Sequence, residues 1–245
     1  MAKGEMTFTA HLHELRRRLI WVLITFVFFV AVSFLFAADI FAWIRQDSLK
    51  NVQIHALSPG DSLKIYVQIS LISAIIFTTP VFLYHLWQFV RPGLKPKEQR
   101  IALIYIPVAI GLFLCGLLFG YYVIFPYLIQ FSASLNQKLN AVETYGIYQY
   151  FSFMLNVILP LALFFELPVI VLFFTSIRLL TPALMRKWRR VAYLLLIILA
   201  AMITPPDLIS NILVSIPLIL LYEVSYWICN WYDDRRQKKE QHEDL

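Results

Sequence analysis

Six long runs of apolar residues, separated by charged segments, constrain this chain more than any other feature of its sequence. The first extends from 19 to 38 without a charged residue. Hydrocarbon offers a backbone no hydrogen-bond partners, so a run of this length must form a helix to cross a membrane. None of the runs shows the two-residue alternation of a membrane β-strand. The other runs are 65–90, 101–129, 148–177, 191–203 and 208–222.

Composition supports a membrane protein. The 245 residues are 60% hydrophobic and only 15% charged, unlike a typical soluble domain. We therefore predict an all-α, polytopic protein whose six transmembrane helices form a single integral membrane domain over residues 1–245. A cleavable signal peptide ending at "FAAD" (36–39) is an alternative, but the first run is longer than a usual signal core. Cys115 and Cys229 lack the spacing of a metal or redox pair and are predicted to pack inside the protein.

The basic residues predict the orientation of the helices. All but four of the 21 lysines and arginines precede helix 1, follow helix 6, or join helices 2 and 3 or 4 and 5. The positive-inside rule then places both termini in the cytoplasm, with segment 1–18 and the charged tail 232–245 on that side. Although the formal net charge is +6, this distribution indicates membrane orientation, and no nucleic-acid partner is expected. The four exceptions are Arg45, Lys50, Lys64 and Lys138.

The last two apolar runs are short. Run 191–203 would reach about 20 Å as a helix, against a hydrocarbon core of roughly 30 Å. The prolines of "TPPD" (204–207) are predicted to stop helix 5, and Asp207 to cap helix 6. The sequence thus predicts short helices 5 and 6. Either the bilayer thins beside this hairpin, or the hairpin packs where water enters the membrane.

Prolines interrupt most of the runs. Each removes a backbone hydrogen bond and bends its helix, so the helices are predicted to form a curved, concave wall. Proline is common in membrane helices, and kinks alone assign no function. The prolines concerned are Pro80, Pro107, Pro126, Pro160, Pro168 and Pro217.

Glu166 lies near the middle of helix 4, in "FFELPV". An ionised carboxylate there would cost about 2.5 to 3.5 kcal/mol, so it must be neutral, paired, or in contact with water. One interpretation is a neutral glutamic acid bonded to a carbonyl that a nearby proline has freed. The other is that Glu166 lines a polar concavity. The same residue could relay protons, which makes a proton-coupled small-solute transporter the alternative function.

Two glutamates lie among basic residues on the predicted cytoplasmic face. Glu14, in "HLHELRRRL" (11–19), precedes Arg17 and Arg18 by three and four residues, on one helical face. Glu98 lies in the basic segment that joins helices 2 and 3. Both could form surface salt bridges of little energetic value. Alternatively, the two carboxylates select cationic partners, since a guanidinium binds a carboxylate in a bidentate geometry.

Motifs of enzymatic catalysis are missing from the sequence. There is no H-E-x-x-H, no G-x-S-x-G and no phosphate loop. His11 and His13 are two residues apart, so on a helix they would point about 160° away from each other. We predict no enzymatic activity, no metal and no cofactor, and an intramembrane enzyme is the weakest alternative.

Several stretches of the chain resemble the TatC family, the multispanning subunit of the twin-arginine protein translocase. Their order and spacing make the similarity specific, and it covers nearly the whole chain. The stretches are "HLHELRRRL" (11–19), "TTPVFLYHLWQFVRPGL" (78–94), "KEQR" (97–100), "YYVIFP" (121–126), "FELPV" (165–169) and "TPPDLISN" (204–211).

This resemblance implies a signal-peptide receptor and core scaffold. Such proteins export precursors, often already folded, whose signal peptides carry paired arginines, and they use the proton motive force. The implied location is the bacterial cytoplasmic membrane. The implied partners are TatA-type single-span subunits, a TatB-type subunit as a further candidate, and other copies of the chain within a larger complex.

The resemblance also assigns roles to individual residues. Four match positions linked to signal-peptide binding, two match polar positions of helix 4 and of the outer hairpin, and one proline matches a structural motif. In that order they are Glu14, Arg16, Phe89 and Glu98, then Glu166 and Asp207, then Pro80.

Overall fold

The computed structural model describes residues 8–48, 54–90, 96–139, 144–176, 178–204 and 207–243. Within these ranges, the side chains of 8–12, 47–48, 54, 90, 96–104 and 238–243 are outside the description. Almost all of the described backbone is helical, which confirms the predicted all-α class for that part of the chain.

The α-helices are named in chain order. A π-helical turn, Gly120–Ile124, joins α4 to α5, and two short strands, β1 (Ile54–His55) and β2 (Tyr145–Gly146), pair in parallel. The helices are α1 (Phe8–Leu35), α2 (Ala37–Ser48), α3 (Asp61–Val90), α4 (Pro96–Phe119), α5 (Phe125–Lys138), α6 (Ile147–Phe164), α7 (Leu167–Ser176), α8 (Pro182–Ile203) and α9 (Leu208–Glu243).

Five helical segments are long and apolar enough to cross a membrane. The sequence predicts six. The remaining apolar run, 191–203, lies in α8, whose first turns are basic, and α8 is not among the five. The five segments are His13–Leu35, Asp61–Phe89, Tyr105–Lys138, Ile147–Ser176 and Leu208–Gln237.

The helices of the predicted short hairpin are not short. α8 has 22 residues and α9 has 36, so the prediction of short helices 5 and 6 is wrong for the helices as a whole. An apolar run measures only the part of a helix that suits hydrocarbon. The backbone hydrogen bonds continue into charged sequence, where side chains reach water. The brevity predicted from sequence applies to the apolar run within α8.

Prolines occur inside four of the helices and after the π-helical turn. Pro80, Pro107, Pro160 and Pro217 lie inside α3, α4, α6 and α9. Pro126 follows the π-helical turn, in which the Phe125 N–H donates to the Gly120 carbonyl. This wider turn precedes a residue that cannot donate a backbone hydrogen bond. The concave wall stays a prediction.

The first compact unit comprises residues up to 106 together with 144–152. In it, α1 packs along α3, and a small core forms where Ala37 of α2 meets Ile65 and Ile69 of α3. Asp61, the first residue of α3, holds the preceding loop against the helix, because its Oδ2 accepts hydrogen bonds from the backbone N–H groups of Leu57 (3.1 Å) and Ser58 (2.9 Å). This unit brings the start of α1 beside the end of α3.

The second unit comprises 107–143 and 153–245. Its main core includes Leu128 of α5, Leu161 of α6, Leu196 of α8 and Leu218 of α9. A smaller cluster joins α7, α8 and α9, and it includes Cys229.

The two cysteines differ in environment. Cys229 is fully buried, with its Sγ 3.1 Å from Thr175 Oγ1, which confirms its predicted packing role. Cys115 is exposed, so the same prediction is wrong for Cys115. A thiol is apolar enough to lie on either the protein-facing or the lipid-facing side of a membrane helix. A uniformly apolar run does not distinguish these two sides.

Gly116 permits a close approach of α4 to α6. A Cβ at this position would lie 2.8 Å from Ala162 Cα and 2.9 Å from Phe165 Cβ. Small residues let membrane helices pack backbone against backbone. Gly116 therefore sets the spacing beside the residue that precedes Glu166.

We predict that Gly116→Ala destabilises the second unit, whereas Gly111→Ala does not. A Cβ at Gly111 meets nothing within 4 Å, and alanine is the better helix former, so that variant should be neutral or stabilising. Overpacking at Gly116 should cost about 1 to 3 kcal/mol. Thermal unfolding of the purified protein in detergent measures both, and equal midpoints for the two variants would contradict the prediction.

Candidate functional site

The start of α1 is tied to the end of α3 by one arginine. Arg18 makes a salt bridge to Glu14, one turn earlier in α1, through Nη2 and Oε1. Its Nε also donates to Glu14 Oε1 at 3.2 Å, and its Nη1 donates to Gln88 Oε1 of α3. The guanidinium thus uses all three of its nitrogens on these two partners.

Glu14 is only partly engaged by this bridge. Its side chain is 22% exposed and that of Arg18 is 16% exposed, so the pair is largely shielded from water. Both Arg18 contacts go to Oε1, and Oε2 is buried without a hydrogen-bond partner among the described residues. A carboxylate oxygen in this state is a strong acceptor without a donor.

Aromatic residues surround this end of α3. The Gln88 amide donates to the Tyr84 hydroxyl at 3.3 Å, and the Tyr84 ring lies 5.6 Å from the His85 ring and 6.2 Å from the Trp87 ring. Phe89 is the next residue after Gln88 and is half-buried. The polar contacts of Glu14 and Arg18 therefore lie beside an aromatic surface.

The three arginines of "RRR" are not equivalent. Arg18 is bound by Glu14 and Gln88, whereas Arg16 and Arg17 are exposed. Sequence spacing allowed Glu14 to pair with Arg17 or Arg18, and the structure selects Arg18. The predicted salt bridge at Glu14 is confirmed.

Glu98 lies in the first turn of α4, in the same compact unit as Glu14. Its side chain is outside the described part of the structure. The selection of cationic partners by Glu14 and Glu98 together therefore stays a prediction.

Glu166 lies at a break between two helices rather than inside one. α6 ends at Phe164 and α7 begins at Leu167, and Pro168 has no N–H for the Phe164 carbonyl four residues earlier. Glu166 is 6% exposed, and its Oε1 has no hydrogen-bond partner within the described residues. A hydrogen bond from Glu166 to a carbonyl freed by a proline was one interpretation of the sequence, and Oε1 makes no such bond with any described residue. The structure shows a buried carboxylate oxygen that has no described donor.

Asp207 caps α9 as predicted. Its Oδ1 accepts a hydrogen bond from the Ser210 backbone N–H at 2.7 Å, and its carbonyl accepts from the Asn211 N–H at 3.3 Å. Pro205 and Pro206, which the sequence places in the turn, lie outside the described residues.

A polar network between α8 and α9 was missed by sequence reasoning. Arg189 donates to Glu223 Oε2 at 2.6 Å and to the Tyr193 hydroxyl at 2.8 Å, and that hydroxyl also binds Glu223 Oε1. Hydrogen bonds with Tyr193 and then Glu223 raise the pKa of the Arg189 guanidinium, which stays charged. The network joins the basic start of α8 to the middle of α9.

Two of the three missed residues had a signal in the sequence. Asp61 directly follows "SPG", a turn sequence at the start of an apolar run. Glu223 is an acidic residue just past an apolar run, with no local basic partner. Gln88 gave no signal, because its partner Arg18 is 70 residues away in the chain.

Comparison with known proteins gives one consistent result. Residues 10–217 match the family model described as Sec-independent protein translocase protein (TatC). The Sec-independent protein translocase protein TatCy of Bacillus subtilis is 41% identical over 229 residues, covering 93% of this chain and 90% of that protein. TatC of Halalkalibacterium halodurans is 38% identical over 241 residues, covering 98% of this chain and 95% of that one.

Solved structures agree with the sequence comparisons. A crystal structure of the twin arginine translocase receptor TatC superposes with a TM-score of 0.78 at 32% identity, covering 89% of this chain and 97% of that chain. A second one, in DDM, gives a TM-score of 0.82 at 31% identity, covering 90% and 99%.

We predict opposite stability effects for two buried or half-buried glutamates of the second unit. Glu223→Gln removes a charge that Arg189 and Tyr193 bind and should cost about 1 kcal/mol, or about 2 to 4 °C in the thermal midpoint. Glu166→Gln removes a carboxylate oxygen that has no described partner, and it should leave the midpoint unchanged or raise it. A loss at Glu166→Gln as large as at Glu223→Gln would contradict this reading of the helix break.

Proposed function

The chain belongs to the TatC family of Sec-independent protein translocase proteins, and from this membership we propose that it is the signal-peptide receptor and core scaffold of its translocase. As a family member it is a multi-pass membrane component of twin-arginine translocation. The finer assignments below concern what this chain binds, with which residues, and in which orientation.

The observation that carries the receptor proposal is the state of Glu14. A signal peptide with paired arginines presents two guanidinium groups, and each suits a carboxylate acceptor. Glu14 lies at the end of a membrane helix, largely shielded from water, with Oε2 lacking a described donor. These features favour tight binding of an incoming guanidinium, because water competes weakly at such a position.

We assign four residues to this binding step. Glu14 and Glu98 receive the two arginines, since both belong to the first unit and Glu98 begins α4. Phe89 contributes to the aromatic surface next to Gln88, against which apolar parts of a signal peptide would pack. Arg16, exposed on α1, positions this segment at the membrane surface through lipid phosphates.

The orientation proposed for this role has both termini in the cytoplasm of a bacterial cell. The basic start of α8 and the charged end of α9 then lie on the side from which precursors arrive. α8 would supply a sixth span through its apolar run, and the proton motive force would supply the energy for transport. For translocation itself we propose TatA-type single-span partners, a TatB-type subunit as a further candidate, and further copies of this chain.

Three more residues support the scaffold role. Glu166 would receive a polar group of a partner within the membrane, because a buried acceptor at a helix break lacks a described donor. Asp207 holds the start of α9 through its cap. Pro80 shapes α3, whose end carries Gln88 and Phe89.

The receptor proposal predicts that neutralising Glu14 and Glu98 together weakens signal-peptide binding by at least about tenfold. The variant is Glu14→Gln combined with Glu98→Gln, and binding of a labelled twin-arginine peptide to the purified protein in nanodiscs is the measurement. A matched control is Asp233→Asn with Asp234→Asn, which removes the same charge from the carboxy-terminal end of α9. Unchanged binding in the glutamate variant, with normal membrane insertion, would refute the proposal.

The scaffold proposal predicts that a TatA-type partner docks beside α8. The apolar run of α8 would span only about 20 Å of the bilayer. A partner with a short transmembrane span would therefore relieve the hydrophobic mismatch beside α8. Met202, 77% exposed in α8, should photo-crosslink to that partner, whereas Leu23, 58% exposed in α1, should not. Leu213 packs against the core of its unit and should crosslink less than Met202. Crosslinks from Leu23 alone would overturn the prediction.

A further inference from the structure

Arg18, an arginine of this chain, already occupies the carboxylate proposed to receive an arginine of the signal peptide. Its Nε and Nη2 both contact Glu14 Oε1, and its Nη1 binds Gln88 on α3. With its side chain 16% exposed, Arg18 is also shielded from water. A ligand that approaches Glu14 therefore meets a site that is already partly filled.

We propose that Arg18 is an internal competitor, whose guanidinium holds Glu14 until the guanidinium of a signal peptide replaces it there. The inference rests on the proposed receptor function and adds a residue that sets the affinity a ligand needs to occupy Glu14. No covalent bond is made or broken. The ion pair between Glu14 and Arg18 is exchanged for one between Glu14 and an arginine of the signal peptide.

The internal pair leaves one oxygen of Glu14 for this exchange. A full bidentate pair uses both carboxylate oxygens, one for each of two parallel N–H groups. Arg18 instead directs two nitrogens at the single oxygen Oε1, and Oε2 is buried with no partner in the described residues. Because Oε2 is buried, an incoming guanidinium reaches it as the side chains around Glu14 move, and Arg18 then leaves Oε1. Gln88 keeps Arg18 nearby during this step, since its carbonyl binds Nη1.

Competition of this kind sets an affinity threshold that arginine meets more readily than lysine. Arg18 sits four residues from Glu14 on the same helix, so it binds without any loss of translational freedom. A ligand must exceed that advantage to displace it. A guanidinium can form two parallel hydrogen bonds with the carboxylate, whereas an ammonium is a point charge that makes a less directional contact. The internal arginine therefore sets a threshold that a single lysine contact does not reach.

Arg17 provides a matched control. It is adjacent in sequence and equal in charge, but it is exposed and does not form the Glu14 bridge. Arg17→Gln and Arg18→Gln thus lower the local positive charge equally. Arg18→Lys keeps the charge near Glu14 while removing the fork that also reaches Gln88.

The experiment measures binding of labelled peptides to the full-length protein in nanodiscs. Two peptides are compared, one with paired arginines and one with paired lysines in the same positions. The variants are Arg18→Gln, Arg18→Lys, Arg17→Gln, Glu14→Gln, and Glu14→Gln combined with Arg18→Gln. Thermal midpoints in detergent identify any variant that is poorly folded.

We expect Arg18→Gln to tighten binding of both peptides about three- to tenfold, because an internal competitor lowers the apparent affinity of every ligand for Glu14 by the same factor. Arg17→Gln should change binding less than about twofold. Arg18→Lys should fall between the wild type and Arg18→Gln, because an ammonium keeps the charge near Glu14 but lacks the fork that also reaches Gln88. In the Glu14→Gln background, Arg18→Gln should bring no gain, because the contested carboxylate is gone.

Two results would overturn the competitor role. One is weaker or unchanged binding in a folded Arg18→Gln protein, and the other is an equal gain from Arg17→Gln, which would indicate a general charge effect. Failure of the receptor function has a separate signature, because Glu14→Gln would then leave wild-type binding of the paired-arginine peptide intact. If Glu14→Gln weakens binding and Arg18→Gln does not tighten it, only the competitor role fails.

Discussion

The structure depends on one constraint, which is that hydrocarbon supplies no hydrogen bonds to the backbone. Long helices satisfy that constraint. Each proline leaves one carbonyl of the helix without its usual donor, because proline has no backbone N–H. Before Pro126 the chain widens into a π-helical turn, and before Pro168 it breaks between α6 and α7. Glu166 lies at this break and is buried in its unit.

Many polar groups elsewhere in the apolar helices have hydrogen-bond partners within the chain. Serine and threonine hydroxyls donate to the carbonyl one turn earlier, as Ser70 does to Tyr66 and Thr79 to Ile75. Asp61 binds two backbone N–H groups, and Glu223 binds Arg189. Among the described carboxylates, Glu14 and Glu166 differ, since each has one buried oxygen without a described donor. Native proteins rarely leave such groups unpaired, so both positions suit a donor from another molecule.

The sequence predicted those features that depend on neighbours in the chain. The helical class, the Asp207 cap and the bridge from Glu14 to an arginine one turn away all follow from local patterns. The length of α9 was underestimated, because hydropathy detects hydrocarbon and not the end of a helix. Gln88 could not be found, since its contact with Arg18 depends on how α1 packs on α3. The exposure of Cys115 was missed because a uniformly apolar run does not say which face meets lipid.

A receptor for arginine in this position has to solve a problem of discrimination. A carboxylate at the cytoplasmic end of a membrane helix has basic residues of the same chain beside it. It also meets the basic residues of other membrane proteins, since these follow the same positive-inside rule. An open carboxylate would bind many of these cations, because electrostatic attraction alone does not separate lysine from arginine. Sequence-adjacent arginines are a direct remedy, since one of them can hold the carboxylate while its neighbours face outward. That "RRR" divides into one bound and two exposed arginines fits the two tasks proposed for the tripeptide, orientation in the membrane and protection of Glu14. Orientation needs only charge, whereas protection needs the particular spacing that places Arg18 one turn beyond Glu14.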